Sequence, residues 1–225
     1  MTIVTRAAAL FGLVLLSATS AAAGEHKASP LLFETRQLDL VGKGAEVTYR
    51  FEKKGNNETM VGKDYTDDIR LSVAKVDDKG GRDVVFKVFT GNSARDPQNW
   101  PELSINPLFV WYLDRAVSTF NSLAGGSAMY FKHKIREALR EAVAEDVKVE
   151  YDGKTVDGYK IAIAPFAADP SASKMQGFHK SEFVIVVSNQ VPGYFVDLQA
   201  NFVSTQAAGP ELKEQIKVVG MGDAK

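Results

Sequence analysis

The chain contains no cysteine and only three histidines among its 225 residues. The absence of cysteine excludes disulfides, thiolate metal ligands and a cysteine nucleophile. His26, His133 and His179 stand alone, and no two of them have the spacing of zinc ligands. The sequence therefore predicts neither a bound metal nor another cofactor.

Positive and negative charges are nearly balanced, because the chain has 27 Lys and Arg residues and 28 Asp and Glu residues. Nucleic-acid binding relies on concentrated positive charge, so we do not expect a nucleic-acid partner. The chain also lacks a Gly-x-Ser-x-Gly elbow, a Walker lysine motif and a dinucleotide fingerprint after a strand. The common hydrolase and nucleotide-binding signatures are thereby excluded.

Long apolar runs are missing too, apart from a short one at the N-terminus. Arg6 precedes an apolar segment from Ala7 to Leu16, and small residues follow up to Ala23. This pattern is typical of a secretory signal peptide that is cleaved before Gly24. The alternative is a membrane anchor, which needs about 20 apolar residues. We expect residues 1–23 to be the signal peptide. Residues 24–225 then form one soluble periplasmic domain without a transmembrane segment.

What the sequence does contain is strand-like alternation. Val47, Tyr49 and Phe51 alternate with polar residues, as expected for a strand with one buried face. Similar runs occur at residues 69–73, 84–88, 147–151, 155–164, 183–187 and 194–202. Turn-forming pairs such as Asp152-Gly153 and Pro192-Gly193 separate several of them. Hairpin links of this kind predict an α+β fold with a flat or curved antiparallel sheet of about eight strands.

The centre of the chain has a helical period instead. Apolar residues recur every three or four positions at Phe109, Leu113, Ala116, Phe120 and Leu123, and again at Phe131, Ile135, Leu139 and Ala142. Gly125-Gly126 separates the two runs, and Ser127 is a candidate N-cap. We predict two amphipathic helices packed on one face of the sheet. Three prolines in residues 91–107 predict a break before them.

The first central helix has more apolar surface than a single contact with the sheet requires. Its aromatic residues Phe109, Trp111, Tyr112 and Phe120 are therefore candidate ligand-binding residues. The alternatives are that the extra apolar surface faces a partner or covers the second helix.

Two resemblances add to these patterns. The segment from Asn106 to Arg115, the triplet Gly125-Gly126-Ser127 and the run from Tyr130 to Arg136 resemble exported proteobacterial proteins of unknown function. This resemblance implies no activity. In architecture alone, the exported, cysteine-free layout resembles periplasmic lipoprotein-carrier proteins, in which a curved sheet holds acyl chains under helices.

Three hypotheses about function follow. The first is an exported, non-catalytic periplasmic protein that binds an apolar small molecule or an envelope protein, and an apolar cavity would favour it. The second is a hydrolase assembled around His179 with Asp169 or Glu182, which requires a buried His–carboxylate pair opening into a cleft. The third is a structural or assembly protein of the envelope, favoured by an exposed apolar patch without a cavity.

Overall fold

A computed structural model describes residues 26–224. The predicted signal peptide, residues 1–23, lies outside the described residues. The first half of the chain forms β1 (His26–Lys27), α1 (Ala28–Phe33), β2 (Ala45–Gly55), α2 (Glu58–Val61), β3 (Tyr65–Val76), β4 (Arg82–Val88) and β5 (Gln98–Leu103). The second half forms α3 (Leu108–Ala124), α4 (Ala128–Glu141), β6 (Val143–Tyr151), β7 (Lys154–Ile163), β8 (Glu182–Val187), β9 (Phe195–Val203) and β10 (Glu211–Asp223). Two short 3₁₀ turns, Ala172–Lys174 and Phe178–Lys180, precede β8.

The strands form one antiparallel sheet in the order β1-β6-β7-β8-β9-β10-β2-β3-β4-β5. This confirms the predicted α+β class and antiparallel sheet, although the described residues contain ten strands rather than about eight. The strands that the sequence patterns did not reveal are β1, β5 and β10. The C-terminal strand β10 lies between β9 and β2 and so joins the two halves of the sheet.

Each missed strand departs from simple alternation for its own reason. Two residues are too few for β1 to show a period. Strand β5 contains Pro101, and it is tolerated because β5 lies at the edge of the sheet. In β10, the buried Glu214 stands between Leu212 and Ile216 on the apolar face and interrupts the pattern.

One face of the sheet is apolar and the other is polar, because successive side chains of a strand point to opposite faces. Tyr49, Ile69 and Val88 are neighbours in register across β2, β3 and β4, and each is at most 5% exposed. On the other face, Arg50 binds Asp68 at 2.6 Å. The helices can therefore cover only the apolar face.

Helices α3 and α4 pack against each other and against this apolar face, as predicted. Gly125, with φ of 69°, ends α3, and the Ser127 hydroxyl accepts a hydrogen bond from the Tyr130 N–H at 3.4 Å. Between the helices, the Phe120 ring packs on Phe131 with 4.7 Å between centroids. The loop that follows β7 adds Phe166, which stacks on Phe120 at 4.3 Å.

A buried polar cluster fixes the start of α3. The Asn106 Nδ2 donates to the Tyr49 hydroxyl at 2.8 Å and to the Gly193 carbonyl at 2.7 Å. Its Oδ1 accepts from the Leu108 N–H at 3.0 Å, and its own N–H donates to Gln37 Oε1 at 2.8 Å. Because buried polar groups are costly unless they are paired, this network specifies one entry point for α3.

Candidate ligand-binding cavity

An open cavity of about 560 Å³ lies between α3 and the edge of the sheet formed by β4 and β5. Its volume falls in the range of roughly 300–1,000 Å³ that is usual for small-molecule sites. The cavity follows α3 from Pro107 to Thr119, about 18 Å of helix axis at the usual rise per residue. It is therefore elongated, with one wall from α3 and the other from the sheet edge.

One end of the cavity is apolar. It is lined by Trp100 and Leu103 of β5, by Ile105 and Pro107 of the connection, and by Val110 of α3. Val110 is 53% exposed, Trp100 43% and Ile105 40%. Large apolar side chains are thus left open to solvent on a concave surface rather than buried in the core.

The other end is polar. Arg95 comes from the segment before β5 and Gln98 from the start of β5, while Arg115, Ser118 and Thr119 come from the middle of α3. The residues from β5 and those from α3 lie at the same end of the cavity, because both are close to the end of β4. Gln98 pairs with Phe86 near that end. The Arg115 guanidinium lies 5.9 Å from the ring of Phe89, which directly follows β4.

Aromatic rings surround the guanidinium of Arg115. It lies 4.6 Å from the Phe51 ring and 5.7 Å from the Trp111 ring, and its Nη2 donates to the Tyr65 hydroxyl at 3.0 Å. The Phe51 ring itself packs on Phe89 at 5.2 Å and on Tyr65 at 5.3 Å. A guanidinium over ring faces gains cation–π attraction, so these rings hold Arg115 in one position at the wall of the cavity.

Glu214 on β10 is the ionic partner of Arg115. Arg115 Nη2 donates to Oε1 at 2.6 Å and Nε donates to Oε2 at 3.0 Å, while the Thr119 hydroxyl lies 3.4 Å from Oε2. The Glu214 side chain is 6% exposed and that of Arg115 22%. Burial raises the pKa of Tyr65 despite the neighbouring guanidinium, so its neutral hydroxyl accepts the Nη2 hydrogen bond.

Arg115 lines the cavity, and its remaining donor is Nη1. Its Nη1 makes no hydrogen bond to another residue of the range 26–224. Nη1 is not buried either, so it is in contact with solvent. A ligand in the cavity can therefore accept a hydrogen bond from this group without displacing Glu214.

The loop that carries Arg95 is held by Asp67. The Asp67 Oδ1 accepts hydrogen bonds from the Thr90 N–H and hydroxyl, both at 2.9 Å, and Oδ2 accepts from the Gly91 N–H at 3.2 Å. Burial by itself would raise the pKa of Asp67, but these hydrogen bonds and one from Asp68 hold it below its usual range. The Arg95 side chain is exposed and has no ion pair within the described part of the chain.

The structure separates the four aromatic residues that the sequence predicted as ligand-binding. Trp111 lines the cavity. Phe109, Tyr112 and Phe120 lie in the core, each at most 4% exposed. Phe109 stacks on Phe195 at 5.1 Å, and the Tyr112 hydroxyl donates to the Gln199 carbonyl at 2.6 Å. The wide apolar surface of α3 thus serves two contacts, one with the core and one with the cavity.

His179, the residue that the hydrolase hypothesis relies on, lies apart from this cavity. Its Nδ1 is buried and has no hydrogen-bond partner among residues 26–224. Asp169 instead accepts the Tyr130 hydroxyl hydrogen, which both carboxylate oxygens share at 2.8 and 2.6 Å, and a hydrogen bond from the Ser171 N–H at 2.7 Å. Glu182 is exposed on β8. The structure does not bring these residues together as a catalytic pair.

Neither a metal-binding cluster nor a membrane-spanning helix occurs among the described residues. Nowhere between residues 26 and 224 do three or more His, Asp or Glu side chains form a group that could hold a metal ion. None of the helices in the same range combines the length and hydrophobicity that crossing a bilayer requires.

Sequence reasoning missed most of the residues that build the cavity. Trp100 lies in a proline-containing segment that the sequence predicted as a break, and Arg95 and Arg115 carry no distinctive motif. One signal was available, because Glu214 stands two positions after Leu212 and two before Ile216, where a strand would place it on their face. An acid on an apolar face predicts a buried cationic partner, although not which one.

No family model matches the chain, and no curated protein matches it significantly. Among solved structures, lipoprotein LppX of Mycobacterium tuberculosis is 12% identical with a TM-score of 0.32, and the match covers 79% of this chain and 85% of LppX. A LolA superfamily protein from Nitrosomonas europaea is 8% identical with a TM-score of 0.22, covering 89% of this chain and 94% of that one.

Proposed function

We propose that this chain is an exported, non-catalytic periplasmic protein that binds an apolar small molecule in the cavity between α3 and β5. The observation that supports the proposal is the convergence of Trp100, Ile105 and Val110, all at least 40% exposed, at one end of the cavity. Removing apolar surface from water is favourable by roughly 25 cal/mol per Å². A ligand with an apolar chain gains this free energy by covering the wall.

The shape of the site distinguishes a small molecule from the other predicted occupant, an envelope protein. The exposed apolar side chains line a concave cavity of about 560 Å³. Small-molecule sites are concave and largely apolar, whereas a protein-binding patch exposes its apolar residues on a broader surface. The cavity therefore favours a small molecule.

The hydrolase hypothesis receives less support. It required a buried His–carboxylate pair opening into a cleft, and Asp169 is bound to Tyr130 rather than to His179. His133 lies on the exposed side of α4. The described geometry thus favours binding over catalysis.

Export belongs to the same proposal. We propose that the segment from Ala7 to Leu16 is removed by cleavage between Ala23 and Gly24. N-terminal sequencing of the protein recovered from a periplasmic extract tests this, and the expected first residue is Gly24. A recovered protein that still begins at Met1 would contradict it.

The binding proposal can be tested with the tryptophans of the protein itself. The chain has two tryptophans, Trp100 and Trp111, and both line the cavity. Titration with 1-dodecanol, which carries an apolar chain and no charge, should change their emission in a saturable way. Absence of a saturable change would contradict the proposal.

A matched pair of variants locates the binding. Val110→Ser removes apolar contact from the cavity wall and should weaken dodecanol binding about fivefold to tenfold, since each buried methylene contributes about 0.8 kcal/mol. Val219→Ser is the control, because Val219 on β10 is similarly exposed, 57% against 53%, but lies outside the cavity. Equal losses in both variants would place the binding elsewhere.

A further inference from the structure

We propose that the ligand is a single-chain amphiphile with an anionic head group, held by Arg95 and by the free Nη1 of Arg115. This inference rests on the proposed function and adds to it the chemical class of the ligand. Its chain would lie along Trp100, Ile105 and Val110 at the apolar end of the cavity.

The polarity of the cavity changes along its length in the way an amphiphile requires. The end of β5 contributes Leu103, the connection after it Ile105, and the first turn of α3 Val110. The start of β5 and the second half of α3 contribute Gln98 and Ser118. An elongated cavity with one apolar end and one polar end matches a molecule that has one extended chain and one head group.

Among the residues that line the cavity, two are cationic, Arg95 and Arg115, and one is anionic, Asp114. Asp114 at the rim is paired with Lys132 at 2.7 Å, and Glu214 is paired with Arg115. Arg95 has no ion pair with any residue between 26 and 224, and it lines the same cavity. An anionic head group is therefore attracted, and a cationic one is repelled.

The donors at this end also suit an oxyanion. Arginine presents a planar set of N–H groups that matches carboxylate, sulfate and phosphate oxygens. The Arg95 guanidinium has its full set of donors available, and Arg115 offers Nη1. The exposed hydroxyl of Ser118 lines the same region. Aromatic rings and Glu214 hold Arg115 in place, so little conformational entropy is lost when it binds a ligand.

The test compares ligands with the same twelve-carbon chain and different head groups. Laurate and dodecyl phosphate are the anionic ligands, 1-dodecanol is neutral and dodecyltrimethylammonium is cationic, all used below their micelle concentrations. Inorganic phosphate alone supplies an anion without a chain. Emission of Trp100 and Trp111 reports binding. We expect laurate and dodecyl phosphate to bind at least tenfold more tightly than dodecanol, and inorganic phosphate not to bind measurably.

Variants of Arg95 assign the preference to a residue. Arg95→Gln should weaken laurate binding about tenfold and leave dodecanol binding unchanged, while Arg95→Lys should retain most of the preference. Arg140→Gln is the control, since Arg140 is exposed on α4 and does not line the cavity. It should alter neither ligand.

The outcomes separate the two proposals. Equal binding of laurate and dodecanol, unaffected by Arg95→Gln, would overturn the anionic head group and leave apolar-ligand binding intact. Tightest binding of the cationic ligand would overturn it in the same way. Binding of inorganic phosphate as tight as that of dodecyl phosphate would overturn the amphiphile class. No saturable binding of any chain-bearing ligand would overturn both proposals.

Discussion

Arg115 and Glu214 form a bidentate ion pair, although they are 99 positions apart in the sequence. The distance is 2.6 Å between Nη2 and Oε1 and 3.0 Å between Nε and Oε2. The pair ties α3 to β10 at the wall of the cavity. Glu214 is the more buried partner, on a face that is otherwise apolar. Removing one partner of such a pair leaves the other charge without compensation in an environment of low polarity.

We therefore expect Glu214→Ala to lower the free energy of unfolding by about 3 kcal/mol, the lower end of the range for buried pairs, because Arg115 is partly exposed. Urea unfolding followed by tryptophan emission measures this. Glu211→Ala, at the exposed start of β10, is the control and should cost less than about 0.5 kcal/mol. The double variant Arg115→Met with Glu214→Leu should recover most of the loss. A loss below about 1 kcal/mol for Glu214→Ala would show that solvent already screens the pair.

A second prediction concerns the turn between β8 and β9. Gly193 has φ of 76°, and a Cβ added to it would lie 2.0 Å from the Tyr49 hydroxyl. Gly193→Ala should therefore be destabilising through both backbone strain and the clash. Gly153 is the control for backbone strain alone, because it has φ of 70° and no atom lies within 4 Å of an added Cβ.

Gly153→Ala should cost about 1–2 kcal/mol from the left-handed backbone alone. Gly193→Ala should cost about 1–3 kcal/mol more, because the clash disturbs a packed site. Thermal and urea unfolding of both variants give the comparison. Equal losses would mean that Tyr49 moves aside without cost.

The third prediction addresses packing between the helices. Phe131 is 3% exposed, and its ring contacts Phe120 at 4.7 Å and Phe166 at 5.4 Å. Phe131→Ala should lower the free energy of unfolding by about 3–5 kcal/mol. Met129→Ala on the same helix, 82% exposed, should change it by no more than about 0.5 kcal/mol. A loss below about 1 kcal/mol for Phe131→Ala would be inconsistent with the packing described.

The fourth prediction concerns pH and the loop that carries Arg95. The folded-state pKa of Asp67 is held below its usual range. Its stabilising contribution is therefore present above the unfolded-state pKa of about 3.9 and is lost as the pH falls through the folded-state pKa. Asp67→Asn should lower the melting temperature at pH 6, and the difference from the unmodified protein should shrink toward pH 2.5.

Asp78→Asn serves as the control for the removal of one exposed carboxylate in a turn. It should not change the melting temperature at pH 6. A constant difference between Asp67→Asn and the unmodified protein across the pH range would show that the ionised carboxylate is not what holds Thr90 and Gly91.

Local patterns in the sequence were enough to predict several elements. Alternation at Val47, Tyr49 and Phe51 predicted β2, and the three- and four-residue spacing from Phe109 onward predicted α3. Gly125 and Ser127 marked the end of α3 and the start of α4. These features depend on neighbouring residues, through backbone geometry and the side of an element that each residue faces, so they can be identified without knowing the tertiary structure.

The cavity could not be predicted in this way. Its walls come from β5, an edge strand with an irregular pattern, and from the outward side of α3, whose other side is committed to the core. The breadth of apolar surface on α3 indicated a second contact, but the sequence did not show that Trp111 meets the cavity while Phe109, Tyr112 and Phe120 face the core.

The amino-acid sequence by itself determined the antiparallel α+β class, the two central helices and the sides that β2, β3 and β4 bury, because these follow from periodicity over a few residues. Only the tertiary structure decided that β10 lies between β9 and β2, that Glu214 meets Arg115 and that Arg95 reaches the polar end of the cavity. Such pairings join residues far apart in the chain. Burial and charge compensation over the whole fold select these pairings. A pattern of neighbouring residues does not contain that information.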